Sequence, residues 1–314
     1  MLISNRNLLV LLCTCLIVVV SAVTVKIFRS ADSGTLFFNK SSVQKTLQVD
    51  GNFFESGKQA TTTAAVPKKD SGSSISAQAY LVGNVETGKI YIERRGSSVL
   101  PVASMSKLIT AVAAIDTLAS TTIVSISQEQ MNVASDTSRL SAGEKFTMSE
   151  LLYPLLLSSS NVAAEALSTT SDRTMFMQLM TTYAFEIGMP STFFADPSGI
   201  NPHNVSSARD FFALARYLYT SRPDILSITR IPHLAEATTS DHGGHDFTST
   251  HPFVNDPNFI GGKTGRTDAA GETMLTIIRM EDMPLAFIVL GSRNGGREAD
   301  TRILISQVKK ILAE

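Results

Sequence analysis

From residue 77 onward the apolar residues change period twice, and the order of those periods limits the fold more than any single residue does. Short runs rich in Val, Ile and Tyr over 77–85 and 89–93, split by Glu86-Thr87-Gly88, predict a β-hairpin. Helical spacing then takes over in 107–118, 148–157, 162–167, 174–187 and 208–219. Strand-like text returns at 259–263, 273–279 and 285–291, and 299–312 reads as a closing helix. Two strands, a helical block, three strands and a helix give an α+β domain, with an antiparallel five-stranded sheet flanked by helices and a helical subdomain in between.

In front of this region the stretch from Leu8 to Val25 carries no charge and is softened only by Cys13, Thr14, Cys15, Ser21 and Thr24. As a helix it would cover about 27 Å, close to the hydrocarbon thickness of a bilayer. Residues 1–29 therefore read as an N-terminal membrane anchor or, with Val20-Ser21-Ala22 as a cleavage site, as a removed signal segment. Residues 30–76 are rich in Ser, Thr, Gly and Lys and read as a flexible linker with an end-to-end distance of roughly 35 to 40 Å. That leaves 77–314 for one folded catalytic domain. Both cysteines fall in the apolar stretch, so no disulfide and no Cys-based metal site belongs to the domain. The 27 basic and 28 acidic residues leave a formal charge of -1, which offers no polycationic surface and excludes nucleic acid as a partner.

Three short motifs lie at the junctions of these elements. Ser-x-x-Lys occurs at Ser42 to Lys45, Ser104 to Lys107 and Ser306 to Lys309. The first is in the linker and the last on an exposed helix face, where a solvated charge is the natural reading. Ser104 follows Leu100-Pro101-Val102-Ala103 and opens the helix through Leu108 and Val112, which puts Lys107 one turn away on the same face. Ser159-Ser160-Asn161 sits between two apolar helices, where helix capping is the plain alternative. Lys263-Thr264-Gly265 occurs once, on a strand whose small residues let another backbone approach closely.

Together the motifs resemble the active site of penicillin-binding proteins and serine β-lactamases. The resemblance extends over Pro101 to Lys107, Leu151-Leu152-Tyr153, Asn161-Val162-Ala163-Ala164, Asp196-Pro197-Ser198-Gly199-Ile200 and Gly296-Arg297 with Asp300. On these segments the chain is similar to the D-alanyl-D-alanine carboxypeptidase and endopeptidase family. It departs at Ser160, where that family usually has Gly, and at Val162, where it often has Asp. The resemblance implies a β-lactamase/transpeptidase-like fold. It implies Ser104 as nucleophile, Lys107 as base, Ser159 as proton relay and Asn161 as orienting group. Lys263, Thr264, Gly265, Arg266 and Arg297 would bind substrate, with the amides of Ser104 and Arg266 facing the oxyanion. The substrates implied are peptidoglycan stem peptides ending in D-Ala-D-Ala, with β-lactams as covalent inhibitors, at the extracytoplasmic face of a bacterial cytoplasmic membrane and with no cofactor.

Two other functions compete. A β-lactamase needs fast deacylation, and between Asn161 and Lys263 there is no Glu-x-x-Leu-Asn segment for a Glu-activated water. A catalytically inactive peptidoglycan-binding protein would keep the site's shape without turnover. The cluster Asp241-His242-Gly243-Gly244-His245-Asp246, with His251 beyond it, has residue types that ligate zinc, but its glycines and the metal-free chemistry of the three motifs make it a polar loop.

Overall fold

A computed structural model describes residues 74–136 and 138–314, which belong to a unit spanning Lys69–Glu314. The anchor or signal segment and all of the linker before residue 74 lie outside the described residues. Among the described residues, no helix is long and apolar enough to cross a membrane.

The strands are β1 (Ala79–Asn84), β2 (Ile90–Arg94), β3 (Leu100–Pro101), β4 (Ile123–Ser125), β5 (Lys145–Thr147), β6 (Val205–Ser206), β7 (His233–Glu236), β8 (His245–Thr248), β9 (Phe259–Thr267), β10 (Gly271–Met280) and β11 (Met283–Ser292). The helices are α1 (Lys107–Thr117), α2 (Met148–Leu156), α3 (Asn161–Thr169), α4 (Arg173–Ile187), α5 (Ala208–Ser221), α6 (Pro223–Thr229) and α7 (Arg297–Leu312). The main sheet runs β2-β1-β11-β10-β9 with every neighbouring pair antiparallel, so the strand bearing Lys263 is an edge. The predicted fold class is the observed one.

The middle of the sheet explains why its sequence is continuously apolar. Along β11, Leu285, Phe287 and Val289 join one buried cluster while Ala286, Ile288 and Leu290 join another. Side chains alternate across a strand, so a sheet covered on both faces needs apolar residues at every position. On one face the cover is α7, through Leu304 and Val308; on the other it is the helical block, through Phe211 and Leu214 of α5. Truncating a fully buried phenylalanine such as Phe287 to alanine removes contacts on the order of 3–5 kcal/mol.

Within the helical block α1 is buried from Lys107 to Ala114, a helix surrounded on all sides. Its small residues, among them Ala111, Ala113 and Ala114, allow α2, α3 and α4 to pack closely around it. A capping box of Thr147 and Glu150 starts α2. Pro154 lies inside that helix, and its carbonyl accepts the Ser160 amide at 2.8 Å, which folds the chain back just before α3. Gly188, at φ +95°, closes α4 in the left-handed shape that glycine adopts freely. The hairpins β4/β5 and β7/β8, and the short α6, were not predicted.

Candidate active site

The nucleophile region is a tight turn. Ser104 is not in the first turn of α1, as predicted, but in a 3-10 turn over Ala103–Ser106 that leads into it. Ala103 has φ +50°, a left-handed conformation that costs a residue with a Cβ and persists only where the surroundings impose it. Those surroundings are visible. The Val102 amide donates to the Asn204 carbonyl at 3.0 Å, the Val102 carbonyl accepts the Thr273 hydroxyl at 3.0 Å, and the Ser106 hydroxyl donates to the Ala103 carbonyl at 3.1 Å. Gly199 presses on the same turn so closely that a Cβ there would lie 2.1 Å from the Ala103 oxygen.

Lys107 is fully buried, and its Nζ faces Ser104 Oγ at 2.8 Å, Asn161 Oδ1 at 2.7 Å and the Ser198 carbonyl. Burial lowers its basicity to about 7, against the opposing pull of Asp196, Asp136 and Glu165. Ser104 itself is half-buried, reachable from outside.

The middle motif is shaped by a residue that no motif announces. The Asp136 carboxylate accepts the amides of Asn161 and Val162, the amide and hydroxyl of Ser138, and the Ser160 hydroxyl at 2.9 Å. Burial would raise this carboxyl, but the bonds from Ser138, Val162 and Ser160 outweigh it and hold it below the ordinary range. Ser160 Oγ also accepts the Ala163 amide at 3.0 Å, so the residue standing in place of glycine caps α3. Ser159 takes φ +61°, a second left-handed non-glycine residue at the cleft. Asn161 is fixed at both ends of its amide, with Nδ2 donating to the Ala134 carbonyl at 2.9 Å.

On the sheet side, Lys263 Nζ donates to Ser159 Oγ at 2.8 Å and to the Thr264 carbonyl at 3.1 Å. Burial pushes its basicity well below the ordinary range, and the cations Lys107 and Arg297 add to the shift. Thr264 shares a hydrogen bond of 2.7 Å with Thr250. Gly265 must be glycine, because a Cβ would lie 2.5 Å from Thr273 Oγ1 and 2.8 Å from the Val102 oxygen. Arg297 Nη1 donates to the Gly265 carbonyl at 3.0 Å, and burial lowers its basicity. Its side chain does not pair with Glu298 or Asp300: Glu298 bonds Arg302, and Asp300 takes the amide and hydroxyl of Ser76. Arg266 is exposed and lies opposite Glu272 on β10. The structure thus brings Ser104, Lys107 and Asn161 into one hydrogen-bonded group and Ser159 with Lys263 into another, joined through the Ser159-Ser160-Asn161 loop. The decoy pair Ser306 and Lys309 is exposed on α7, and Ser42 to Lys45 lies outside the described residues.

The histidines are packing residues more than a polar loop. His242 stacks on Phe146 with ring centroids 4.4 Å apart, and His245 stacks on Phe247 and bonds Glu144 at 2.9 Å. His251 is buried beneath β9 against the Leu275 carbonyl, and burial lowers its basicity to about 3. Glu150, Glu236 and His242 place three potential ligand atoms within 4.8 Å of one another, which makes them the group among the described residues with metal-ligand chemistry.

Comparison with known proteins agrees with this geometry. A family model described as D-alanyl-D-alanine carboxypeptidase, of the peptidase S11 type, matches residues 61–294. A D-alanyl-D-alanine endopeptidase of Pseudomonas aeruginosa is 29% identical over 74% of this chain and 77% of its own. A protein of the same name from Escherichia coli is 30% identical over 74% of each chain. Among solved structures, penicillin-binding protein D2 of Listeria monocytogenes in its cefotaxime-bound form superposes with a TM-score of 0.66 at 26% identity, covering 76% of this chain and 98% of that one. With the serine, the two amines and the asparagine gathered about one cleft, the chain belongs to the D-alanyl-D-alanine carboxypeptidase family of serine peptidases that act on peptidoglycan.

Proposed function

We propose that the chain hydrolyses the bond between two D-alanine residues at the end of a peptidoglycan stem peptide through an acyl-enzyme on Ser104. The way Lys107 is held carries this reading. A neutral amine has two N–H bonds and one lone pair. Asn161 Oδ1 and the Ser198 carbonyl take the two N–H bonds, which leaves the lone pair directed at Ser104 Oγ, 2.8 Å away. With its basicity near 7, that amine is neutral often enough to accept a proton at physiological pH.

Ser104 Oγ attacks the scissile carbonyl carbon while its proton passes to Lys107 Nζ. The tetrahedral oxyanion meets the backbone amides of Ser104 and Arg266, donors already in position before the charge develops. Collapse breaks the peptide bond, and the leaving D-alanine nitrogen receives the proton through Ser159. Water then attacks the ester with Lys107 again as base, releasing the shortened peptide and restoring the Ser104 hydroxyl. The terminal carboxylate of the substrate is met by Lys263, the Thr264 hydroxyl and the planar fork of Arg297. Its arrival favours the charged form of Lys263, and a charged Lys263 disfavours charge on Lys107, so substrate binding itself frees the base.

A β-lactam carbonyl at the same carbon would leave an ester on Ser104, and the cefotaxime-bound form of the Listeria relative supports that. The apolar stretch from Leu8 to Val25 would deliver the domain to the outer face of the bacterial cytoplasmic membrane, or hold it there. The endopeptidase names of the Pseudomonas and Escherichia relatives favour a second reading, in which the bond cut joins two stem peptides. Mass spectrometry of a muropeptide mixture separates the two: loss of one alanine marks a carboxypeptidase and loss of a crosslink an endopeptidase. Neither product in the presence of enzyme that a fluorescent penicillin labels would favour the inactive binder. Rapid turnover of a chromogenic cephalosporin would favour a β-lactamase.

A further inference from the structure

Beside the reacting groups lies a second concavity of about 640 Å³. It meets the active site at three points. Ser158 on its wall precedes Ser159, Thr250 is bonded to Thr264 at 2.7 Å, and Ser138 is bonded to Ser160 at 2.8 Å. Ser104, Lys107 and Lys263 do not line it. A substrate held at Ser104 therefore has this cleft as its neighbour, and what the cleft recognises is decided by its charged walls.

Three charged residues stand there, and only one is saturated. Glu144 accepts the amides of Ser141 and Gly243 and pairs with the His245 ring at 2.9 Å, so its charge is spent within the fold. Asp246 is 75% exposed at its side chain, and its ion-pair partner is the exposed His233. Among the described residues, the Arg139 guanidinium has neither a hydrogen bond nor an ion pair. Its backbone sits at φ +59°, an uncommon conformation for a residue with a side chain. A free guanidinium fork suits a carboxylate, and an exposed carboxylate across a polar cleft suits an ammonium.

Stem peptides carry, close to the scissile bond, a diamino acid whose side chain ends either in an amine alone or in an amine and a carboxylate together. We infer that this cleft is the subsite for the second kind, a diaminopimelate-type side chain, with Arg139 binding its carboxylate and Asp246 its ammonium. The inference rests on the peptidase reading above and adds the substrate class that this member of the family selects.

The test uses two pentapeptides ending in D-Ala-D-Ala that differ only in having diaminopimelate or lysine at the third position. The wild type should prefer the diaminopimelate peptide in kcat/KM. Arg139→Ala should cut that preference about tenfold, by slowing the diaminopimelate peptide, and Arg139→Lys should restore only part of it, since lysine lacks the fork. Asp246→Asn should slow both peptides, because both bring an ammonium. Labelling by a fluorescent penicillin checks that each variant keeps an assembled Ser104 site. An unchanged preference in Arg139→Ala, or equal slowing of both peptides, overturns the assignment. If wild-type protein takes the penicillin label yet neither releases D-alanine from these peptides nor cuts a crosslinked muropeptide, the peptidase reading falls, and the assignment with it.

Discussion

Lys107, on the helical half of the cleft, and Lys263, on the sheet half, are both buried amines 2.8 Å from a serine hydroxyl, yet their surroundings differ. Around Lys107 stand the carboxylates Asp196, Asp136 and Glu165, which temper the effect of burial and keep its basicity near 7. Lys263 has the cations Lys107 and Arg297 as its charged company, and among the described residues nothing acidic tempers its fall. One amine is thus poised to exchange a proton and the other to wait for an anion. Under the mechanism proposed above, the helical half would supply the chemistry and the sheet half the place for the substrate's charge.

Replacing each lysine by alanine tests that division most severely. Lys107→Ala should slow acylation by penicillin on the order of 10²- to 10⁴-fold, the usual worth of a general base. Equal losses in Lys107→Ala and Lys263→Ala, with the same dependence on the substrate's carboxylate, would erase the distinction. Arg297→Ala should lower kcat/KM about 10- to 100-fold for peptides ending in a free carboxylate and far less for their terminal amides, the range expected for a charged hydrogen bond. A similar loss on both would take Arg297 out of carboxylate binding.

The pH profile sharpens the contrast further. Lys107 is charged below its shifted value and neutral above it, so kcat/KM should climb as pH rises through about 7 and level off beyond. Asp136 favours the charged lysine, and Asp136→Asn should therefore move that limb to lower pH, while Asp196 and Glu165 keep part of the pull. An unmoved limb would mean that Asp136 acts on the Ser159-Ser160-Asn161 loop alone. The smallest effect is expected from Ser160→Gly, which removes a cap and one bond to Asp136 at a cost of about 1 kcal/mol, readable as a lower thermal midpoint.

Much of this architecture was legible because long elements repeat their signal. The helices from 148 to 219 and the strands of the main sheet carry enough turns or alternations for period to decide, and β11 could be read as a strand because both of its faces are buried. The pairs β4/β5 and β7/β8 offer only three or four residues each, too few for any period to show. Ser104 and Lys107 were legible because they stand only three positions apart. Asp136 was not, since it reaches Ser160 and Asn161 from 24 and 25 positions away. Ser198 contributes a main-chain oxygen to Lys107, and a carbonyl leaves no mark in the choice of side chain. The Asp196 carboxylate beneath it gathers the amides of Ser198, Gly199 and Asn201, which explains that segment's composition without advertising its target.

The crowding of Gly199 against the nucleophile turn bears on how such a protein could escape a β-lactam. A side chain at that position would collide with the Ala103 carbonyl and with the Ser106 hydroxyl, 2.6 Å from the added carbon. The turn and the loop behind it are therefore wedged into a single block, so that, if the site acylates as proposed, a substitution at Gly199 that loosened the grip on a drug would unseat Ser104 as well.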